Sequence, residues 1–357
     1  MSDIMQDHQP LAAFIQDFRH QMHRHPELSN EEFNTTASIR AALDKYQIRV
    51  LDLPLKTGLV AEIGGIKPGE LVVLRSDIDA LPIQEKSGVD YTSQNPGVMH
   101  ACGHDFHTSA ALGAAILLKA QEDSLSGTVR ILFQAAEETG HGAPVLIDTG
   151  ALDNAAIIFG IHNDPALPVG VIGSKEGALT AGVDRFAITI SGTGSHAARP
   201  HEGNDPIILA GQVISALQTL IARNVPSAHN AVVSITQVLA GIAAAFDTDI
   251  SLDWQPGPPS VVNTAKWVDF ALAHGEGSGF EARRVEASPI GEDFAFYQQK
   301  LPGAFIMIGS GGPYALHHPQ FRVDDRALFP AAHYLSQLAV QAQQTLSAEI
   351  LSKDKIA

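Results

Sequence analysis

The sequence predicts an α/β fold, a sheet with helices on both faces that carries a small α+β insert. Three observations predict it. Apolar runs of strand length are separated by helical stretches through both ends of the chain. Ionisable clusters follow directly on the ends of those runs. Between residues 182 and 261 the texture changes to strands that alternate apolar and polar residues, as half-buried strands do.

The elements follow in order. Residues 11–24 and 31–45 read as helices. Glu70-Leu71-Val72-Val73-Leu74-Arg75, after the Pro68-Gly69 turn, reads as a buried strand. Thr108 to Gln121 is an Ala/Leu-rich helix, and 127–134 and 155–161 are further strands. In the insert, 185–192 is an alternating strand. Asp205-Pro206 opens a long helix over 205–223, with Asp as N-cap and Pro in the first helical position. Residues 231–238 and 249–254 are two more strands. Ala304 to Gly309 returns to the buried strand type, and Leu328 to Leu346 closes as a helix.

Composition narrows the function. There are 23 Lys and Arg against 39 Asp and Glu, a net charge of −16, which is unsuited to a nucleic-acid phosphate backbone or an anionic membrane surface. The best apolar run, Ala110 to Leu118, is too short to span a bilayer. The first residues lack the basic segment and apolar core of a signal peptide. A single cysteine, Cys102, excludes an internal disulfide framework and fits a reducing cytoplasm. Sixteen histidines beside that one cysteine direct attention to metal or acid–base chemistry.

Polar clusters fall where the strands end. Strand 70–75 runs into Asp77 and Asp79, strand 127–134 into Glu137 and Glu138, and strand 155–161 into His162. Strand 304–309 leads to His317-His318, and Cys102, His104, Asp105 and His107 precede the helix at 108. In open α/β sheets ligands bind beyond the carboxyl ends of the strands. Each cluster also has a plain reading: an inert buried cysteine, a solvated helix start, a strand-end histidine, a surface loop. Gathered at one sheet edge, they favour a metal site. Thiolate, imidazole and carboxylate together suit a borderline transition metal rather than Mg²⁺ or Ca²⁺. Five candidate ligands (Cys102, His104, Glu138, His162 and His317) exceed one tetrahedral ion and suit two. Glu137 is then left beside a ligand with its carboxylate free to act as general base.

Several ordered motifs resemble the M20 peptidase superfamily. They are His23-Arg24-His25-Pro26-Glu27-Leu28, Arg75-Ser76-Asp77-Ile78-Asp79, His100-Ala101-Cys102-Gly103-His104-Asp105 and Gln134-Ala135-Ala136-Glu137-Glu138. Gly160-Ile161-His162-Asn163-Asp164, Gly194-Ser195-His196-Ala197-Ala198-Arg199-Pro200, Gly291-Glu292-Asp293-Phe294 and Leu316-His317-His318-Pro319 complete the set. The resemblance is to the branch of hippurate hydrolases, N-acyl-amino-acid amidohydrolases and plant auxin-conjugate hydrolases. It implies a zinc-peptidase-like catalytic domain with a mixed sheet over 1–181 and 262–357. It also implies an inserted ferredoxin-like domain over 182–261 that acts as lid and pairs subunits into a homodimer.

The same resemblance implies two divalent ions, Mn²⁺ or Zn²⁺ with Co²⁺ or Ni²⁺ as substitutes, on Cys102, His104, Glu138, His162 and His317. Glu137 would be the base, His196 would polarise the scissile carbonyl, and Arg199 would meet the anionic substrate. Asp77, Asp79 and Asp105 would orient the ligand histidines. The implied substrate is an N-acyl amino acid, hydrolysed to a carboxylic acid and an amino acid. One departure stands out: Gly241 passes directly to Ile242-Ala243-Ala244-Ala245-Phe246, so a strand, most of a helix and the family's lid asparagine are missing. The insert is thus expected to be truncated, with part of its sheet uncovered. Two alternatives follow: an exopeptidase cutting dipeptides, and a metal-binding protein whose turnover is lost with the lid.

Overall fold

The computed structural model describes residues 8–224, 239, 242–243 and 248–354. They fall into two compact units, Met1–Gly182 with Pro258–Ala357, and Val183–Gly257.

The larger unit is built on an eight-stranded mixed sheet. Its strands are β1 (Arg49–Val50), β2 (Leu59–Gly64), β3 (Lys67–Asp77), β4 (Ser126–Gln134), β5 (Ala155–Asp164) and β6 (Val171–Ser174), with β11 (Glu281–Arg284) and β12 (Gly303–Gly309). The order is β1-β2-β4-β3-β5-β12-β6-β11. The middle four, β4-β3-β5-β12, are mutually parallel, so their carboxyl ends share one edge. Two short strands, β7 (Gly177–Ala178) and β10 (Val262–Asn263), pair separately.

Helices cover both faces, which is why the central strands are apolar without alternation. On one face Val72 and Leu74 of β3 pack with Ile15 of α1 (Gln9–Arg24), Ile39 of α2 (Phe33–Lys45) and Phe106 and Leu112 of α3 (His104–Ala120). On the other, Val73, Leu132 and Ile158 pack with Leu146 of α4 (Gly142–Asp148). Further along the chain, α6 (Ala265–Gly277) and α8 (Leu328–Asp354) join the first face, and α7 (Phe294–Gln298) joins the second. Among the described residues no helix is long and apolar enough to cross a membrane.

One boundary differs from expectation where it matters. The helix expected from Thr108 begins a turn earlier, at His104. Gly103, in the left-handed region at φ 87°, presents its carbonyl to the amides of Phe106 and His107 and so starts the ladder. The polar residues His104 and Asp105 therefore sit on a rigid first turn and not in a loop.

In the smaller unit, β8 (Arg185–Ile190) pairs antiparallel with β9 (Ile250–Gln255), and α5 (Pro206–Asn224) lies between them in sequence. Ile188, Ile190, Ile250 and Leu252 pack around Val213 and Leu239. At the far end of the same sheet face, Phe186 and Trp254 stack at 6.0 Å while remaining 44% and 40% exposed. The strand expected at 231–238 lies outside the described residues, and within the expected helix remnant at 242–248 only Ile242 and Ala243 are described as helical.

Candidate metal centre

Three strand ends and the start of α3 bring the expected ligands together. Cys102 lies on the loop before α3 and His104 opens that helix; His162 lies near the end of β5, Glu138 follows β4, and His317 sits between β12 and α8. Cys102, His104 and His162 form one triad of ligand atoms mutually within 4.8 Å; Cys102, Glu138 and His317 form a second. The two triads share Cys102. The Cys102 Sγ lies 3.4 Å from His162 Nε2, and His317 Nε2 lies 3.6 Å from the Glu138 carboxylate.

The ring nitrogens are sorted by their other bonds. His162 donates from Nδ1 to the Asn163 carbonyl at 2.7 Å, which leaves Nε2 as the lone-pair nitrogen facing Cys102. Asp79 holds His104 through Nδ1 at 3.2 Å, and His104 Nε2, fully buried, has no hydrogen-bond partner among the described residues. Asp79 also accepts the Glu138 amide at 3.0 Å and the Ser29 hydroxyl at 2.6 Å, so one carboxylate fixes two ligands.

Electrostatics also fit a cation. Burial pushes the Cys102 thiol well up, and the neighbouring Glu138 charge adds to it. Burial raises Glu138 to about 7, against a partial offset from His104. Burial and then the charges of Glu292, Glu138 and Asp293 raise Glu137 well above the carboxylate range. Burial works against a charged His104, but Asp77 and Asp79 hold its pKa well above the usual imidazole value. His162 is driven well below by burial and by His107. These thiol and carboxyl groups crowd in a dry site that disfavours their ionised forms, and divalent cations would supply the missing charge. The unbonded His104 Nε2 and the mixed S, N and O donors fit two such ions.

Glu137 stands at the same edge, its carboxylate 3.8 Å from His104 Nε2 and 3.4 Å from the Asp293 amide. It follows Ala136, a non-glycine residue held at φ 58°. Buried Glu32, the residue before α2, accepts the Ala136 amide at 2.9 Å and the Thr57 hydroxyl at 2.7 Å, so the strained turn is tied down from outside its own strand.

The remaining expected residues divide. Asp77 accepts from His107 Nδ1 at 2.6 Å and from Arg75 at 2.6 Å; it lies 3.7 Å from His104 Nε2 without a hydrogen bond. His107, which the motif pattern did not require, accepts the Asn163 amide at 2.8 Å and so steadies the strand end bearing His162. Asp105 corrects an expectation: it orients no ligand histidine. It takes Arg19 at 3.1 Å and His23 at 2.9 Å, because the first helical turn aims it towards α1. His196 and Arg199 belong to the smaller unit, both exposed; His196 Nδ1 accepts the Ala198 amide at 3.1 Å, and Arg199 pairs with Glu202 at 3.2 Å.

Sequence reasoning assigned no role to the buried Arg75 cluster. Arg75 reaches Asp77, Glu292 at 3.0 Å and Asp293 at 2.8 Å, while Gln134 bridges Asp293, Arg75 and Tyr297. Its members lay in the quoted motifs, but nothing in their spacing said they meet.

Residues 73–341 match the profile of Peptidase family M20/M25/M40. The chain belongs to that family. An N-acetylcysteine deacetylase of Bacillus subtilis is 43% identical, over 92% of this M20 chain and 97% of the relative. An IAA-amino acid hydrolase of Arabidopsis thaliana, ILR1-like 5, is 36% identical over 90% and 85%. The crystal structure of a dinuclear metal-binding M20 peptidase from Bacillus subtilis superposes with TM-score 0.78 at 39% identity, covering 94% of this chain and 99% of that one. The deacetylase alignment runs over 368 residues, more than the 357 of this chain, so this M20 chain faces gaps there.

Proposed function

We infer that the protein hydrolyses the amide bond of N-acyl amino acids, releasing a carboxylic acid and an amino acid, with two divalent transition-metal ions. The observation that carries this reading is the pair of ligand triads sharing Cys102, with Glu137 beside them. Its relatives by name, a deacetylase and an amino-acid-conjugate hydrolase, support amide hydrolysis as the reaction class. Cys102, His104, Glu138, His162 and His317 would hold the ions, Mn²⁺ or Zn²⁺, with Co²⁺ or Ni²⁺ as substitutes. Bound there, the ions supply Lewis acidity to the scissile carbonyl and acidify the attacking water.

The protein's own groups do the rest. Glu137 takes a proton from the attacking water and returns it to the leaving amine. The backbone turn at Ala136 and the Asp293 amide keep its carboxylate aimed at the ligands. Asp79 holds His104 and the Glu138 backbone in place. His196 from the smaller unit donates to the developing oxyanion, and Arg199 meets the substrate carboxylate. The exposed Ile207, Ile208 and Ile214 of that unit support a homodimer through it.

The uncovered Phe186–Trp254 end of the small sheet favours a second reading, a metal-binding M20 protein that has lost turnover. Assaying N-acetyl and N-benzoyl amino acids with added Mn²⁺, Zn²⁺ or Co²⁺ separates the two. Release of free amino acid supports the first; stoichiometric metal binding with no release across the panel supports the second.

A further inference from the structure

Glu32 is a fully buried carboxylate that stands outside the ligand cluster. Burying a carboxylate is costly, and here N–H and O–H donors offset the cost. One of its oxygens accepts both the Asn30 and the Ala136 amides at 2.9 Å, and the other accepts the Thr57 hydroxyl at 2.7 Å. Its own backbone is braced as well. The Thr36 hydroxyl donates to the Glu32 carbonyl at 2.6 Å and accepts the Gly58 amide at 2.8 Å. Gly58 in turn lies against the end of β4, where a Cβ would stand 2.7 Å from the Phe133 carbonyl oxygen. The loop after α1, the start of α2 and the Thr57-Gly58 segment thus form a rigid cradle under the turn at Ala136.

That turn carries two residues with different tethers. The Glu138 amide is held by Asp79 at 3.0 Å, whatever happens at Ala136. The Glu137 carboxylate takes the Asp293 amide through a long bond of 3.4 Å, so its aim depends on the backbone just before it. Ala136 sits at φ 58°, a conformation unfavourable for a residue with a Cβ, and the bond from its amide to Glu32 opposes relaxation. A displacement of about 1 Å arising away from the chemistry can cost about 100-fold in rate. We propose that Glu32 is a positioning residue for the general base: its bond to the Ala136 amide sets the aim of Glu137 and leaves metal binding to the Asp79 tether. The proposal rests on the reading of Glu137 as base and deepens it.

Two variants separate reach from charge on the metal-loaded protein. Glu32→Asp keeps the charge but withdraws the acceptor by one methylene; Glu32→Gln loses the charge but keeps an oxygen for the Ala136 amide. Glu32→Asp lowers kcat on an N-acyl amino acid at least tenfold, with KM and metal affinity, by chelator competition, within threefold of wild type. Glu32→Gln keeps kcat within threefold. Ile39→Ala, a cavity in the core further along α2, lowers the melting temperature without that loss of kcat. Hydrogen exchange over residues 134–138 gives a readout without turnover: it quickens in Glu32→Asp and not in Glu32→Gln. The proposal is overturned if Glu32→Gln is the slower variant, if metal affinity falls in step with kcat, or if exchange is unmoved in Glu32→Asp. Glu137→Gln without turnover beside Glu32→Asp at wild-type kcat overturns the proposal alone. Glu137→Gln with undiminished kcat, or a wild type without turnover, overturns the base reading and the proposal together.

Discussion

Glu137 and Glu138 are adjacent in sequence but stand in different chemical positions, and substitution separates them. Glu137→Gln removes a proton acceptor without removing a ligand, so metal content stays at the wild-type level while kcat falls by about 100-fold or more. Glu138→Gln removes a ligand oxygen charge, and metal affinity falls about 10-fold or more, measured by competition with a chelator. Ala136 sets the turn that carries both. At φ 58° a β-branched side chain is strained, so Ala136→Val lowers stability by about 2 kcal/mol in urea unfolding, whereas Ala136→Gly stays within about 1 kcal/mol of wild type. His23 gives a pH signature. Burial opposes its charge, but Asp105 and Glu85 outweigh burial and lift the ring to about 9. The folded state therefore keeps a proton that the unfolded chain releases near 6.5. That stabilisation is complete below pH 6.5 and is lost as pH rises through about 9. The wild-type melting temperature should fall across that window, and His23→Gln should flatten the fall.

At the scale of elements, the sequence displayed the central strands because they are buried on both faces and so unbroken in apolar character. Glu138, His162 and His317 were legible for the same reason, since each lies at or beyond a strand end, whereas Cys102 and His104 showed as a polar cluster ahead of a helix. Helix α3 was misplaced by a turn because its start is set by one left-handed glycine carbonyl, while the residues after it look like a polar loop. Arg75 was illegible as a hub because its partners come from the end of β3, from the last residue of β4 and from the turn before α7, with 218 positions between Arg75 and Asp293. Only the fold brings them together. That network makes a definite prediction: Arg75→Met leaves Asp77, Glu292 and Asp293 buried without their cation and costs about 3–5 kcal/mol, read from the denaturation midpoint. Asp105 teaches the same lesson in reverse. Adjacency to His104 suggested a shared task, yet helical geometry sends neighbouring side chains in different directions.

For the whole molecule, two units of unequal core suggest unequal stability. The larger buries continuous clusters on both sheet faces, whereas the smaller has its described core around Val213 and Leu239. Each unit carries one of the two tryptophans, Trp267 buried in the larger and Trp254 part-exposed in the smaller. Trp267→Phe should therefore leave a red-shifted emission that unfolds at lower denaturant than the signal left by Trp254→Phe; coincident transitions would show one cooperative unit. In the smaller unit the described elements β8, α5 and β9 fall within two residues of where alternation and the Asp205-Pro206 helix start place them, while the strand expected at 231–238 lies outside the described residues. The central claim is metal-dependent amide hydrolysis by the ligand cluster at the sheet edge, and one titration tests it most directly. Protein stripped with a chelator is assayed on an N-benzoyl amino acid as Mn²⁺ is added back. The reading predicts no hydrolysis in the stripped protein and a rate that saturates as two ions bind per chain. Hydrolysis undiminished by stripping, or two bound ions with no hydrolysis of any N-acyl amino acid, would contradict it.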